Sequence, residues 1–258
     1  MKLLISGASG LLGKAIQRQA QKMNITCVNL DRAKISLGLA VSDILKVDQL
    51  FDGVDHFVHA AANTDVEHCE LEPASCYRDN VLLTELLANA ARRKGVLMTY
   101  ISSVGVYGSA QKTPWAEYDE ARPVTHHHRS KLIGEQLVMA ANSFNSVTRT
   151  GWLYGGELTA NKNFVIKRIE EARSSTSGFI FSNNQQRGCP TNVDDAAERI
   201  LDIIMLRASG LFNVVNTGSA SRLEYVAAIV GSCGLNVEIS IGGLICMGCH
   251  RCAAGGMR

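Results

Sequence analysis

The segment LLISGASGLLG at residues 3–13 constrains the fold more than any other part of the chain. A short apolar run leads into Gly7, Gly10 and Gly13, and a helical pattern follows over residues 11–22. A glycine turn between strand and helix lets the backbone approach a pyrophosphate and directs the helix N–H groups at the anion. The spacing G-x-x-G-x-x-G is weak by itself, and a purely structural turn is the alternative. With a strand before it, a helix after it and an acidic residue closing the second strand, it predicts a dinucleotide site.

Apolar strand patterns alternate with helical patterns through the first 155 residues. Predicted strands lie at 2–6, 25–30, 56–62 and 96–103 and within 146–155, and predicted helices at 11–22, 73–94 and 126–142. This alternation predicts an α/β fold of the Rossmann type, a doubly wound parallel sheet. We therefore assign residues 1–155 to an NAD(P)-binding Rossmann domain.

The regular alternation of strand and helix patterns ends after Gly155. Helical patterns fall at 162–173, 193–207 and 221–232, and strand patterns at 178–182 and 211–216. We expect residues 156–258 to form a small C-terminal substrate lobe over the carboxyl edge of the sheet and to return to the sheet, with an end that is truncated or shifted in reading frame.

Composition narrows the classes of function. The chain has 258 residues and a net charge of +2, and no long run of Lys and Arg predicts a nucleic-acid partner. No signal peptide or membrane-spanning stretch is evident, so we expect a cytoplasmic protein with reduced cysteines. Cys246, Cys249 and Cys252, with His250 among them, have a metal-like spacing. Because this segment is terminal and glycine-rich, we expect a loose tail and no metal.

Two dipeptides bear on the adenosine half of a dinucleotide. Asp31 ends the second strand, where a carboxylate accepts hydrogen bonds from the ribose hydroxyls of NAD, and Arg32 beside it suits the 2′-phosphate of NADP. The choice between NAD and NADP stays open. Asp43 and Ile44 are candidates for the adenine pocket, although an Asp in a loop equally serves as a turn or cap residue.

Several segments resemble the extended short-chain dehydrogenases/reductases, and among them the dTDP-4-dehydrorhamnose reductase family. The similar segments are spread over roughly residues 1–230. They are ISGASGLLG (5–13), NLDR (29–32), VHAAANTDVEHCELEP (58–73), Asn80, ISSVGVYG (101–108), PVTHHHRSKLIGE (123–135), RTGWLYG (149–155) and QQRGCPT (185–191).

The resemblance implies a role for residues in each segment. Leu11 and Leu12 join the three glycines at the pyrophosphate, Asp31 and Arg32 meet the adenosine ribose, and Ala60, Ala61 and Ala62 pass beneath the cofactor. Ser103 matches the family's catalytic hydroxyl residue, and Lys131 matches the lysine that binds the nicotinamide ribose. Thr64, Val66 and Trp152, together with Ser103, match positions near the sugar nucleotide.

Two departures from the family stand out. His127 occupies the position of the catalytic tyrosine, and the sequence past about residue 240 no longer resembles the family. The unperturbed pKa of histidine is about 6.5, so a neutral ring is a weak proton donor, although it can still donate an N–H hydrogen bond. His126 and His128 are expected to point elsewhere, solvated or packed.

Three functional interpretations follow from this pattern. The first is an NAD(P)H-dependent reductase of a 4-keto-6-deoxy nucleotide sugar that acts through Ser103, His127 and Lys131. The second is a non-catalytic NAD(P)-binding regulatory subunit, similar to that of methionine adenosyltransferase, which resembles the same reductases. The third is a nucleotide-sugar epimerase or dehydratase. No membrane or nucleic-acid partner is expected, and a homodimer is left open.

Overall fold

The computed structural model describes residues 1–30, 41–109, 113–157 and 163–242. Two compact units divide the chain. The larger consists of residues 1–164 and 189–218, and the smaller of residues 165–188 and those from 219 onward. The chain therefore leaves the larger unit after residue 164, returns to it at residue 189 and leaves it again after residue 218. No helix in the described ranges is long and apolar enough to cross a membrane.

A six-stranded sheet forms the centre of the larger unit. Its strands are β1 (Lys2–Ser6), β2 (Thr26–Leu30), β3 (His56–His59), β4 (Leu97–Ser103), β5 (Ser146–Thr150) and, after four short strands given below, β10 (Gly210–Val214). They lie in the order β10-β5-β4-β3-β1-β2, and every neighbouring pair is parallel. The order reverses at β1, so the sheet is doubly wound and its ligand crevice lies at the carboxyl ends of β1 and β3.

Helices cover both faces of this sheet. They are α1 (Leu11–Lys22), α2 (Val41–Gln49), α3 (Val66–Leu71), α4 (Pro73–Tyr77), α5 (Leu83–Arg93), α6 (His126–Ala141) and, later in the chain, α8 (Val193–Met205). Side chains of β1 alternate between two cores. Leu3 and Ile5 pack on the face covered by α1 and α8, and Leu4 packs on the opposite face. Burial on both faces explains why β1 carries consecutive apolar residues at Leu3, Leu4 and Ile5.

The smaller unit is built from short elements. It contains α7 (Phe164–Ser174, whose first residue belongs to the larger unit), β7 (Phe179–Ser182), β8 (Arg187–Gly188), β11 (Ala220–Ser221), α9 (Arg222–Ser232) and β12 (Glu238–Ile241). Strand β12 pairs in parallel with β7, and β11 pairs antiparallel with β8. In the larger unit, β6 (Leu153–Tyr154) pairs with β9 (Thr191–Asn192).

The structure confirms the predicted Rossmann-type α/β fold and corrects several of its parts. Strand β3 ends at His59, so the three alanines after it are not strand. The helix predicted over 73–94 is divided into α4 and α5 by a π-helical turn at Arg78–Leu82. Helix α2 and strand β12 have no counterpart among the predicted elements.

Two histidines of β3, half-buried His56 and fully buried His59, make the stability of the fold depend on pH. His56 contacts the Thr99 hydroxyl at 2.8 Å, and His59 is fully buried. Burial lowers the pKa of His56 from 6.5 to about 4. For His59, burial and the charge of Lys131 lower the pKa to about 3. Both rings therefore stay neutral in the folded protein at pH values where an unfolded histidine is protonated.

We expect the free energy of unfolding to fall as the pH drops below about 6.5, because only the unfolded chain takes up these protons until the pH nears the folded pKa values. At pH ~5.5 each ring lowers the free energy of unfolding by about 1.4 kcal/mol relative to its value at pH ~8. Urea unfolding at the two pH values measures the loss. His56→Gln should reduce the difference by about one such step, and an unchanged difference would contradict the linkage.

Candidate active site

The glycine turn between β1 and α1 has the geometry of a phosphate-binding loop. Gly7 has φ of +71°, which favours glycine, and a Cβ added there would lie 2.6 Å from the Ala61 nitrogen. A Cβ on Gly13 would lie 2.3 Å from the Gly7 carbonyl oxygen. Gly10 is the N-cap of α1 and provides no side-chain cap, so the first-turn N–H groups are left for a ligand. Leu12 is buried beneath the turn and Leu11 is half-buried.

A row of buried polar side chains, joined by hydrogen bonds, lies directly beneath this turn. Ser6, the last residue of β1, contacts Nδ1 of His59 at 2.6 Å, and Nε2 of His59 contacts the Thr84 hydroxyl at 2.9 Å. The Thr84 hydroxyl donates to the Asn80 carbonyl, so it accepts from His59. This row of side chains thus joins the glycine turn to the π-helical turn that contains Asn80. Half-buried Ala60, Ala61 and Ala62 follow β3, and the backbone of Ala60 and Ala61 lies against Gly7.

A cleft of about 350 Å³ adjoins the outer side of the glycine turn. Ser9, Lys14, Arg18 and Asn29 contribute to its lining, and the sequence analysis had assigned no role to them. Asn29 lies near the end of β2, where Rossmann folds place the adenosine ribose. Lys14 pairs with Glu157 at 2.6 Å, whereas Arg18 pairs with Asp194 at 2.8 Å. The lining of the cleft therefore carries charges of both signs.

Four predicted cofactor residues are not tested by these contacts. Asp31 and Arg32 lie outside the described residues. Asp43 and Ile44 belong to α2, but their side chains also lie outside the described part of the structure. The cysteine-rich segment with Cys246, Cys249, Cys252 and His250 is likewise not described. Within the described ranges, no cluster of His, Cys, Asp or Glu is suited to hold a metal ion.

Helix α6 presents His127 and Lys131 on its buried face, one turn apart. The Thr125 hydroxyl caps the helix by accepting from the His128 N–H, which fixes where the helix begins. His127 is only 7% exposed, and its Nδ1 lies 3.0 Å from the Asn63 carbonyl oxygen. Desolvation, followed by the His128 and Lys131 charges, lowers the pKa of His127 to about 3, against a smaller upward effect of the Asn63 bond.

Lys131 is the cation of this site. It is 4% exposed, and its Nζ lies 4.0 Å from the centroid of the Tyr100 ring, in cation–π geometry. Burial lowers the pKa of Lys131 to about 7, although Glu135 and Cys76 oppose that shift. Glu135 is itself paired with Arg149 at 2.6 Å. The ammonium is therefore poised to lose or gain a proton near neutral pH.

Ser103 ends β4 and caps a short 3₁₀ turn, Val104–Tyr107. Its Oγ accepts a hydrogen bond from the Gly105 N–H at 3.1 Å, so the hydroxyl keeps its own proton for another acceptor. A Cβ on Gly105 would lie 2.1 Å from Nε2 of His128, so this ring packs on the turn. His128 is therefore packed and not solvated, which was one of the two alternatives expected from the sequence.

The predicted sugar-nucleotide residues lie in different segments of the larger unit. Thr64 is exposed and Val66 is half-buried, on either side of the Asp65 that caps α3. Trp152 is half-buried, and its backbone carbonyl accepts from the Thr191 N–H at 2.9 Å. The roles of these three residues at the sugar nucleotide stay predictions.

The residues of the crevice fit a nicotinamide dinucleotide. The glycine turn is a cradle that a single Cβ at Gly7 or Gly13 would fill. Ser103 and Lys131 supply a hydroxyl and a buried cation near the same edge of the sheet. The sequence analysis gave no catalytic or binding role to three residues of the site, His59, Asn80 and His128. The one local signal for His59 was its place beside the apolar Phe57 and Val58 in the strand HFVH.

This fold and crevice define a Rossmann-type reductase of the extended short-chain dehydrogenase/reductase class. The family model described as the RmlD substrate binding domain matches residues 1–241. The chain belongs to this family.

Curated and solved relatives agree with this assignment. A dTDP-4-dehydrorhamnose reductase of Mycobacterium tuberculosis is 29% identical over 242 residues, which cover 92% of this chain and 77% of that protein. A solved dTDP-4-dehydrorhamnose reductase from Clostridium acetobutylicum is 30% identical with a TM-score of 0.85, covering 94% of this chain and 84% of the other. A Bacillus anthracis dTDP-4-dehydrorhamnose reductase, solved in complex with NADP, is 26% identical with a TM-score of 0.85, over 94% and 85% of the two chains.

Proposed function

We propose that this chain is an NAD(P)H-dependent reductase of a nucleotide sugar, in which a 4-keto-6-deoxy sugar linked to dTDP becomes the alcohol. The observation that carries the proposal is the buried face of α6. It holds Lys131 one turn after the position of the family's proton donor, within the same unit as the glycine turn. When bound, the reduced nicotinamide supplies a hydride.

The residues of the chain would then bind the cofactor and hold the ketone. The glycine turn and the first turn of α1 would bind the pyrophosphate. Lys131 would hold the nicotinamide ribose, as in the family. The Ser103 hydroxyl, which already accepts from Gly105, would donate its proton as a hydrogen bond to the ketone oxygen. We also propose that Thr64, Val66 and Trp152 contact the sugar nucleotide. We further propose a cytoplasmic location and a homodimer.

The source of the proton for the alkoxide gives a second candidate function. Nδ1 of His127 is engaged by the Asn63 carbonyl, and burial holds the ring neutral. This observation favours a chain that binds the dinucleotide without turning over a ketone. NADPH oxidation with a dTDP-4-keto-6-deoxy sugar, together with calorimetry of NADPH binding, separates the candidates. Cofactor binding without turnover in both the wild type and His127→Tyr would support the non-catalytic candidate.

Cofactor preference provides a separate prediction for the Asp31–Arg32 dipeptide. Arg32→Ala should weaken NADPH binding more than NADH binding, because NADPH alone carries the 2′-phosphate that an arginine binds. Titration of each cofactor by calorimetry measures the two losses. Arg92→Ala, at the exposed end of α5, is the matched control and should leave both affinities as they are. Equal losses for NADPH and NADH in Arg32→Ala would remove Arg32 from the phosphate site.

A further inference from the structure

A pair of asparagines determines which nitrogen of His127 carries the proton. A backbone carbonyl oxygen can only accept, so the 3.0 Å contact between Asn63 O and Nδ1 of His127 requires an N–H at Nδ1. A neutral imidazole has one N–H. Nε2 of His127 therefore carries a lone pair and accepts hydrogen bonds.

The Asn63 peptide is itself clamped by the side chain of Asn80. The Asn63 N–H donates to Oδ1 of Asn80 at 2.7 Å, and Nδ2 of Asn80 donates to the Asn63 carbonyl at 3.0 Å. These two bonds fix the amide orientation of Asn80 and the direction of the Asn63 carbonyl. That carbonyl thus accepts from Asn80 and from His127, and the Cys69 thiol is a longer third contact at 3.8 Å.

A second link runs from Asn80 to the backbone of His127. Nδ2 of Asn80 also lies 2.9 Å from the Ser130 hydroxyl, which donates to the His127 carbonyl at 2.7 Å. Asn80 is 1% exposed and lies in the π-helical turn, which turns its side chain away from the regular helical register. The single side chain of Asn80 thus holds both the ring partner and the backbone partner of His127.

We propose that Asn80 is a positioning residue that holds His127 in the Nδ1–H tautomer and makes Nε2 a hydrogen-bond acceptor at the active site. A ketone oxygen is also an acceptor, so neutral His127 does not hydrogen-bond it. The group that Nε2 suits is a hydroxyl donor, from the sugar or from water. The sugar hydroxyl rests on the proposed function, whereas the tautomer is a property of the free protein.

Two-bond ¹H–¹⁵N correlation spectra of the full chain at neutral pH test the tautomer without substrate. His127 signals are assigned by their loss in His127→Gln. The expected result is a protonated Nδ1 and an unprotonated Nε2 in the wild type. Asn80→Ala should bring the two ¹⁵N shifts towards each other, because the released Asn63 carbonyl no longer selects one tautomer.

Asn145→Ala is the matched control. Asn145 is a buried asparagine that also clamps backbone, accepting from the Met98 N–H at 2.9 Å and donating to the Val138 carbonyl at 2.8 Å. Its loss should leave the His127 shifts unchanged. If Asn80→Ala does not fold, Asn80→Ser, which can serve only one of the two Asn63 groups, replaces it. A wild-type Nε2–H signal, or His127 shifts that do not respond at Asn80, would overturn the proposal. Because no activity is measured, failure of the reductase assay leaves this test intact.

Discussion

His127→Tyr is expected to raise the rate of ketone reduction by about 10²–10⁴-fold, the range that a positioned general acid contributes. Neutral His127 keeps its N–H on the Asn63 carbonyl, so the ring gives the developing alkoxide no proton. A phenol at the same position carries its own proton. Lys131, on the same face of α6, would favour the phenolate and so make the phenol more acidic. NADPH oxidation with a dTDP-4-keto-6-deoxy sugar measures the rate of each variant.

The pH dependence of the wild type separates the sources of the proton. If the imidazolium of His127 is the acid, its fraction falls about tenfold for each pH unit above its pKa of about 3. The rate should then fall tenfold per unit between about pH 5.5 and 6.5, where Lys131, with its pKa of about 7, stays mostly protonated. His127→Ala would remove that slope. A rate that is independent of pH and unaffected in His127→Ala would make water the acid.

His126→Tyr is the control for the gain in rate. His126 precedes His127 on the same helix, but its ring lies against Tyr77 at 5.9 Å and not at the Asn63 carbonyl. A tyrosine there should bring no increase. Equal rates for the wild type and His127→Tyr, with NADPH still bound, would contradict the assignment of position 127 to the proton donor.

Local patterns in the sequence were sufficient for the elements that carry the site. The strand, glycine turn and helix of residues 2–22 follow from short-range periodicity, and so does the face of α6 that carries His127 and Lys131. Helical spacing places residues 127 and 131 together whatever the rest of the chain does. The predicted positions of these groups therefore needed no tertiary information.

The contacts that determine the chemistry of His127 come from distant parts of the chain. The Asn63 carbonyl lies 64 residues away in sequence, and the Asn80 side chain that holds it lies in a π-helical turn. A one-residue shift in helical register leaves no clear signal in a hydrophobic pattern, so residues 73–94 were predicted as one helix. The expectation that neutral His127 could donate an N–H to the substrate ignored this partner. Periodicity can place a ring on a face, but the tautomer depends on what the fold brings to that face.

Gly10→Val is expected to abolish dinucleotide binding while the protein stays folded, with at least about a hundredfold loss of affinity, or ~2.8 kcal/mol. The φ of Gly10 is −74°, which a valine adopts, and its Cβ would lie 3.1 Å from the Gly7 oxygen, a tight but adjustable contact. The added methyl groups would occupy the approach of the pyrophosphate to the start of α1. Calorimetry with NADPH and with NADH measures the loss, and circular dichroism tests the fold.

Two further glycines separate a lost site from a lost fold. In Gly13→Val the Cβ would lie 2.3 Å from the Gly7 carbonyl oxygen, which is backbone and cannot move aside, so this variant should lose stability as well as binding. In Gly231→Val, in α9 of the smaller unit, the Cβ would meet no heavy atom within 4 Å, and this variant should leave NADPH binding unchanged. If Gly10→Val binds NADPH as the wild type does, the turn from Gly7 to Gly13 is a structural corner and the dinucleotide site lies elsewhere.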